Sequence, residues 1–227
     1  MTLALPDSFP STRLAAHAVA EHVLCPVRYA AVRRVGLAPA PDGVVTPEFA
    51  LDSGARRVVG LRGSDVVDSI DGEERRTPVT TLRAAGQFLG VAPGAPPLWA
   101  ATTPLDLDAP LALDVASMSE LAAWFGTVAD ALTGFALDAP QTLWPEHFDL
   151  AINLSLGGGE ATFGGSPGDD DLSEPYAYVV PPADPVPDGD NAFWNARFGA
   201  ALPHSSVSSA ESLVAFFDEA RQRLTAS

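Results

Sequence analysis

The chain has 227 residues, enough for one sizeable core, with an ordinary apolar share of 47% and a formal net charge of −16. The charge is lopsided: residues 1–83 carry 10 Arg against 10 acids, residues 84–227 only 3 Arg against 19 acids. Such a surface repels nucleic acid and anionic lipid, and leaves cations or a basic partner protein as the partners that charge favours.

All 13 basic residues are arginine. Without lysine there is no Schiff base, so pyridoxal phosphate chemistry is excluded, as is a P-loop nucleotide site with its phosphate-binding lysine. One cysteine, Cys25, allows no internal disulfide, and neither a membrane span nor a signal peptide is read in the chain. The expectation is a soluble cytoplasmic protein.

In chain order, the first helix is expected over 12–24, with Leu14, Ala15, Ala18, Val19, His22 and Val23 on its apolar face and Pro26 ending or redirecting it. His22 reads as a packed histidine, His17 as solvated and Cys25 as inert. Residues 28–37 fit helix or strand. Residues 48–51, 57–61 and 65–70 read as strands of a meander, separated by turns rich in Gly, Asp and Ser. The charges of alternating sign around them, Arg56 to Arg76, form a solvated face. Thr77-Pro78 then marks a helix start, followed by Val79, Leu82, Ala85 and Leu89 at helical spacing up to Gly90. Residues 91–97, rich in Pro and Gly, are a connection or a sub-boundary within a single domain. Ser117 and Glu120 make a capping box for a helix over 117–135, whose stripe runs from Met118 to Phe135.

The chain's most informative stretch follows. Trp144-Pro145-Glu146-His147-Phe148-Asp149 leads into the alternation Phe148, Leu150, Ile152, Leu154 of a half-buried strand. Gly157-Gly158-Gly159 turns it, and Glu160–Phe163 returns as the hairpin partner. Paired numbers then sum to about 315 or 316 by that geometry. Asn153 faces Thr162, Asp149 faces Ser166 or Pro167, and His147 faces Gly168 or Asp169. His147 and Asp149, two apart, leave the same strand face. Tyr176 and Tyr178 share a face of a further strand over 174–180. Residues 181–190, rich in proline, wrap the surface, and a last helix is capped at Ser208 with Glu211.

The candidate ligand-binding residues are therefore Trp144, Glu146, His147, Asp149, Ser166, Tyr176, Tyr178, Trp194 and Asn195, near one hairpin end. A divalent cation would have His147, Asp149, Asp169 and Asp171 as candidate ligands. Ser166-Pro167-Gly168-Asp169 suits a type II turn, in which the serine braces the turn rather than attacking a substrate.

The run Trp144–Asp149, together with Gly164-Gly165-Ser166-Pro167-Gly168-Asp169, Glu174-Pro175-Tyr176 and Phe193-Trp194-Asn195, resembles a group of uncharacterised proteins of GC-rich actinobacteria, mainly over 143–199. The resemblance implies no activity. The expected fold is α+β: an antiparallel sheet or open barrel covered by about four helices. The expected function is binding of a small molecule or cation at the hairpin end. The alternatives are a metal-assisted hydrolase using His147 and Asp149 with Asp169 or Asp171, and an acidic module that meets a basic partner.

Overall fold

A computed structural model describes residues 5–156, 158–182 and 192–225. The fold is α+β, with two antiparallel sheets of six and five strands, neither closed into a barrel. The helices are α1 (Phe9–Val19), α2 (Cys25–Val32), α3 (Leu82–Leu89), α4 (Val115–Phe135) and α5 (Ala210–Thr225). The strands are β1 (Ala38–Ala40), β2 (Gly43–Val45), β3 (Phe49–Ala50), β4 (Arg56–Arg62), β5 (Asp65–Ile70), β6 (Glu73–Pro78), β7 (Thr142–Trp144), β8 (Asp149–Leu156), β9 (Gly159–Ser166), β10 (Tyr176–Val180) and β11 (Ala200–Pro203). The chain forms two compact units. The N-terminal unit takes Ala4–Ala123 and Leu143–Phe148, and the C-terminal unit takes Trp124–Thr142 and Asp149–Ser227. Residues 91–97 lie within the first. No helix among the described residues is long and apolar enough to cross a membrane.

In the N-terminal unit the first helix does not stop at Pro26. A π-helical turn, Ala20–Leu24, joins α1 to α2, and Cys25 N–H reaches back five residues to Ala20 O. Proline lacks the N–H that an α-helix would send to His22 O. That carbonyl accepts instead from Gly94 N–H at 2.9 Å. Ala15, Ala18, Val19, His22 and Val23 are buried as expected, whereas Leu14, expected inside, is 51% exposed and Glu21, on the wider turn, is buried.

The sheet of this unit runs β1-β2-β4-β5-β6, with β3 on β4. β5 lies where the alternation put it, whereas Thr77-Pro78 ends the edge strand β6 rather than starting a helix. α3 begins four residues later, where Thr81 Oγ1 accepts from Ala84 N–H, and Gly90 closes it with φ 75°. Asp68 on β5 is 1% exposed. It takes Arg57 Nε at 2.7 Å and Arg75 Nη2 at 2.7 Å. Both guanidiniums also donate to the last carbonyls of α3, Arg57 to Leu89 O and Arg75 to Phe88 O. Two cations thus meet the negative end of α3 through one buried carboxylate.

In the C-terminal unit β8, β9, β10 and β11 are neighbours in that order. The hairpin register is as expected: Asn153 pairs Thr162 and Leu150 pairs Gly165. One face carries Leu150, Ile152, Phe163 and Val179 toward α4 and α5, where the rings of Phe135, Phe163 and Phe217 meet at 4.8–5.9 Å. The α4 stripe is buried from Met118 to Phe135, and the cap is Asp114, whose Oδ1 accepts from Ser117 N–H. The surface wrap expected over 181–190 lies for the most part outside the described residues.

Candidate functional site

The site is built on the opposite face of the C-terminal sheet. Asp149, Ser166, Tyr176 and Tyr178 alternate onto that face from β8, β9 and β10. All four are less than 9% exposed, so the polar face is covered at this end rather than open to water.

Gly164 makes the arrangement possible. It lies between Tyr178 on β10 and Ala151 on β8 in the ladder. A Cβ added there would meet Leu150 O at 2.6 Å, Tyr178 Oη at 2.8 Å and Ala151 Cβ at 2.9 Å. The bare backbone lets the Tyr178 ring lie across β9, and its hydroxyl donates to Asp149 Oδ2. Gly165 does the same for the other face, since its Cβ would meet Val128 of α4 at 2.4 Å. The Gly164-Gly165 pair thus serves both sides of one strand, admitting a phenol above and a helix below.

Tyr176 donates to Asp169 Oδ2, and Asp169 Oδ1 accepts Asp171 N–H at 2.9 Å and Leu172 N–H at 2.8 Å. Ser166 Oγ accepts Gly168 N–H at 3.1 Å, and Gly168 has φ 99°, as the expected turn requires. Trp124 Nε1 donates to Ser166 O at 2.8 Å. The Phe198 ring lies 6.1 Å from Tyr176 and 6.2 Å from Tyr178. Burial first, and the carboxylates next, hold both phenols protonated: Tyr176 is raised by desolvation and Asp169, and Tyr178 well above its ordinary range by desolvation and Asp149. Each carboxylate is therefore held by a neutral donor. The cluster concentrates acceptor oxygens beside aromatic faces, a setting complementary to a donor-rich or cationic group.

The other candidates lie elsewhere. His147 is not in a strand. Residues 145–148 form a turn, closed by Phe148 N–H on Trp144 O at 2.7 Å, with Phe148 at φ 53°. The ladder begins only after it, so His147 and Asp149 do not share a strand face; His147 is exposed and belongs to the N-terminal unit. Trp144 and Glu146 are half-buried in that same unit. Trp194 packs edge-on against Phe193 at 5.0 Å. Asn195 pairs with the Ala201 backbone through both its amide groups, at 3.0 and 2.9 Å, and so acts as a short mock strand on the β11 edge. Asp171 is exposed, and no group of three or more His, Cys, Asp and Glu among the described residues could hold a metal ion.

A second polar cluster, in the N-terminal unit, went unread in the sequence. Glu21, on the π-turn, is fully buried. Its Oε1 accepts Trp99 Nε1 and Thr102 N–H at 2.9 Å each, and its Oε2 accepts Thr103 N–H at 2.9 Å and Thr103 Oγ1 at 2.6 Å. Burial pushes its pKa up, but the donors from Thr103, Thr102 and Trp99 outweigh it and keep Glu21 below its ordinary value. His22 Nε2 lies 3.0 Å from Thr103 O, so Nε2 carries the proton. His17 is not solvated. It stacks on Phe148 at 5.0 Å and 7°, and donates through Nε2 to Pro145 O at 2.9 Å. Desolvation lowers its pKa to about 4, against the opposing pull of Glu21. Cys25 is buried and its thiol pushed up to about 12, first by desolvation, so it is inert as expected. The missed signal was an acid set, with His22 beside it, in an otherwise apolar run, Ala18-Val19-Ala20-Glu21-His22-Val23-Leu24.

No protein-family model, curated protein or solved structure matches this chain.

Proposed function

We propose that this is a small-molecule-binding protein whose ligand, an organic amine or guanidine, binds at the tyrosine–carboxylate face of the C-terminal unit. One observation carries the reading: two phenols of β10 on one sheet face donate to two carboxylates, with a bare glycine beneath one ring and Phe198 against both. Titratable groups perturbed by burial beside a specific charge partner favour a functional site. The charge agrees. The C-terminal unit holds three arginines, Arg197, Arg221 and Arg223, and Arg221 and Arg223 already pair with Asp218 and Glu219 on α5. A cytoplasmic setting is part of the proposal, resting on the single buried Cys25.

The test is calorimetry and thermal shift against primary amines, polyamines and guanidines, with neutral polyols and divalent chlorides as controls, on the wild type and on Asp149→Asn. Saturable binding confined to the nitrogen cations, weakened at least tenfold in a folded Asp149→Asn protein, supports the proposal. Absence of binding to every amine and guanidine, or equal binding by the variant, sinks it.

A further inference from the structure

Most of the chain's arginine charge is spent internally. Eight arginines, from Arg56 on β4 to Arg223 on α5, each lie against a carboxylate. Arg28, Arg33 and Arg34, at the C-terminal end of α2, are different: none has an ion pair among the described residues. In a chain with 29 acids and a net charge of −16, three such cations so close in sequence stand out. The helix end does not account for them. A helix C-terminus carries roughly −0.5 of an elementary charge, so about +2.5 of the three cations stays uncompensated.

Two of the three are held in place. Arg28 is half-buried, and its Nη1 donates to Gly36 O at 2.6 Å. Arg33 lies 5.1 Å over the ring of Tyr29. Arg33 also caps α2 at φ 56° and ψ 35°, the left-handed conformation that glycine takes most easily. A long charged side chain therefore stands there at a conformational cost. Burial first, and then the neighbouring guanidinium of Arg34, lower the pKa of Arg28, so two like charges sit near each other in a partly desolvated place.

We propose that the end of α2 is an oxyanion site, in which Arg28 and Arg34 together take the dianionic head of a soluble phosphate monoester, with Arg33 beside them. Planar guanidinium forks match the spacing of phosphate oxygens, and a dianion cancels two cations where a carboxylate cancels one. Charge also limits the size of the ligand. Screening confines a surface field to about 8 Å at physiological ionic strength, so a compact ligand meets the arginines alone. An extended polyanion, whether nucleic acid or membrane, also meets the acids around them. The site lies within the N-terminal unit and does not depend on the amine site of the C-terminal one.

Calorimetry on the full chain with inorganic phosphate and glycerol phosphate, against acetate, tests this, together with flotation on phosphatidylcholine vesicles with and without phosphatidic acid. Both soluble phosphates are expected to bind saturably, acetate not at all. Arg34→Gln should weaken that binding about tenfold or more. Arg34 is exposed and makes no hydrogen bond or ion pair among the described residues, so its loss is read at the ligand and not in the fold. Arg28→Gln should weaken binding as much, but it also frees Gly36 O, and the decision therefore rests on Arg34. Arg83→Gln removes an arginine already paired with Asp108 and should leave the affinity unchanged. No binding of either phosphate, equal binding of acetate, full affinity in Arg34→Gln, the same loss in Arg83→Gln, or binding confined to phosphatidic acid vesicles overturns the proposal.

Discussion

The two units handle buried acid in opposite ways. In the N-terminal unit Asp68 is neutralised by charge, held between Arg57 and Arg75, and Glu21 is wrapped in donors from the Trp99–Thr103 loop. In the C-terminal unit, poor in arginine, buried Asp149 is met by the Tyr178 phenol, and exposed Asp169 by the Tyr176 phenol and two backbone N–H groups. A guanidinium cancels a carboxylate's charge; a phenol satisfies one lone pair and leaves the charge in place. The guanidiniums of the first arrangement oppose a further cation, and the proposed amine site therefore lies at the second. This is why the functional reading rests on the less charged-looking of the two clusters.

The comparison breaks most visibly at Asp68. Asp68→Ala leaves Arg57 half-buried without its partner and should cost about 3 kcal/mol, at the low end for a broken buried pair because Arg75 can turn to water. Urea unfolding measures it, and a loss under about 1 kcal/mol would mean the pair is ornamental.

Acid should find the N-terminal unit next. His17 is neutral in the fold down to a pKa of about 4, whereas an unfolded histidine takes a proton near 6.5. Its contribution is therefore full above pH 6.5 and is lost as pH falls through the window from 6.5 to 4. At about 1.4 kcal/mol per pH unit the loss is at most about 3 kcal/mol. His17→Phe, which keeps a ring for Phe148, should flatten the melting temperature between pH 7 and 4. An unchanged slope would show that another group is responsible.

In the C-terminal unit Gly164→Ala puts a methyl between Leu150 O and the Tyr178 hydroxyl, and overpacking of that kind costs about 1–3 kcal/mol. Tyrosine absorbance in alkali reads the same displacement, since a Tyr178 lifted from its seat ionises at lower pH. A comparable or smaller effect is expected for Tyr178→Phe, at about 1.5 kcal/mol, since one donor to a buried carboxylate is removed while the ring stays. If that loss matched the one at Asp68, the distinction between cancelled and retained charge would fail.

Much of the fold was legible locally. The alternation and turn residues of 143–180 place β8, β9 and β10 and the register of the β8–β9 hairpin, and β5 matches its reading residue for residue. Ser166 Oγ braces Gly168 N–H, and Gly168 takes the positive φ read for it. These features depend on neighbours within a few positions, which periodicity and turn chemistry report directly. The candidate site was legible only in part. Asp149, Ser166, Tyr176 and Tyr178 do converge, but His147 does not join them, because the left-handed Phe148 ends the turn one residue before the ladder begins.

By itself the sequence determined the α+β class, the absence of lysine chemistry, the acidic balance and the hairpin that gathers the tyrosines with Asp149. Tertiary structure alone decided that the helix runs through Pro26, because its missing donor is replaced by Gly94 from a distant loop. It alone decided that Glu21 is buried, and that Tyr178 crosses Gly164 to Asp149. Each of these turns on a hydrogen bond or a close approach between residues remote in the chain, and no local pattern records which remote partner fills an empty place.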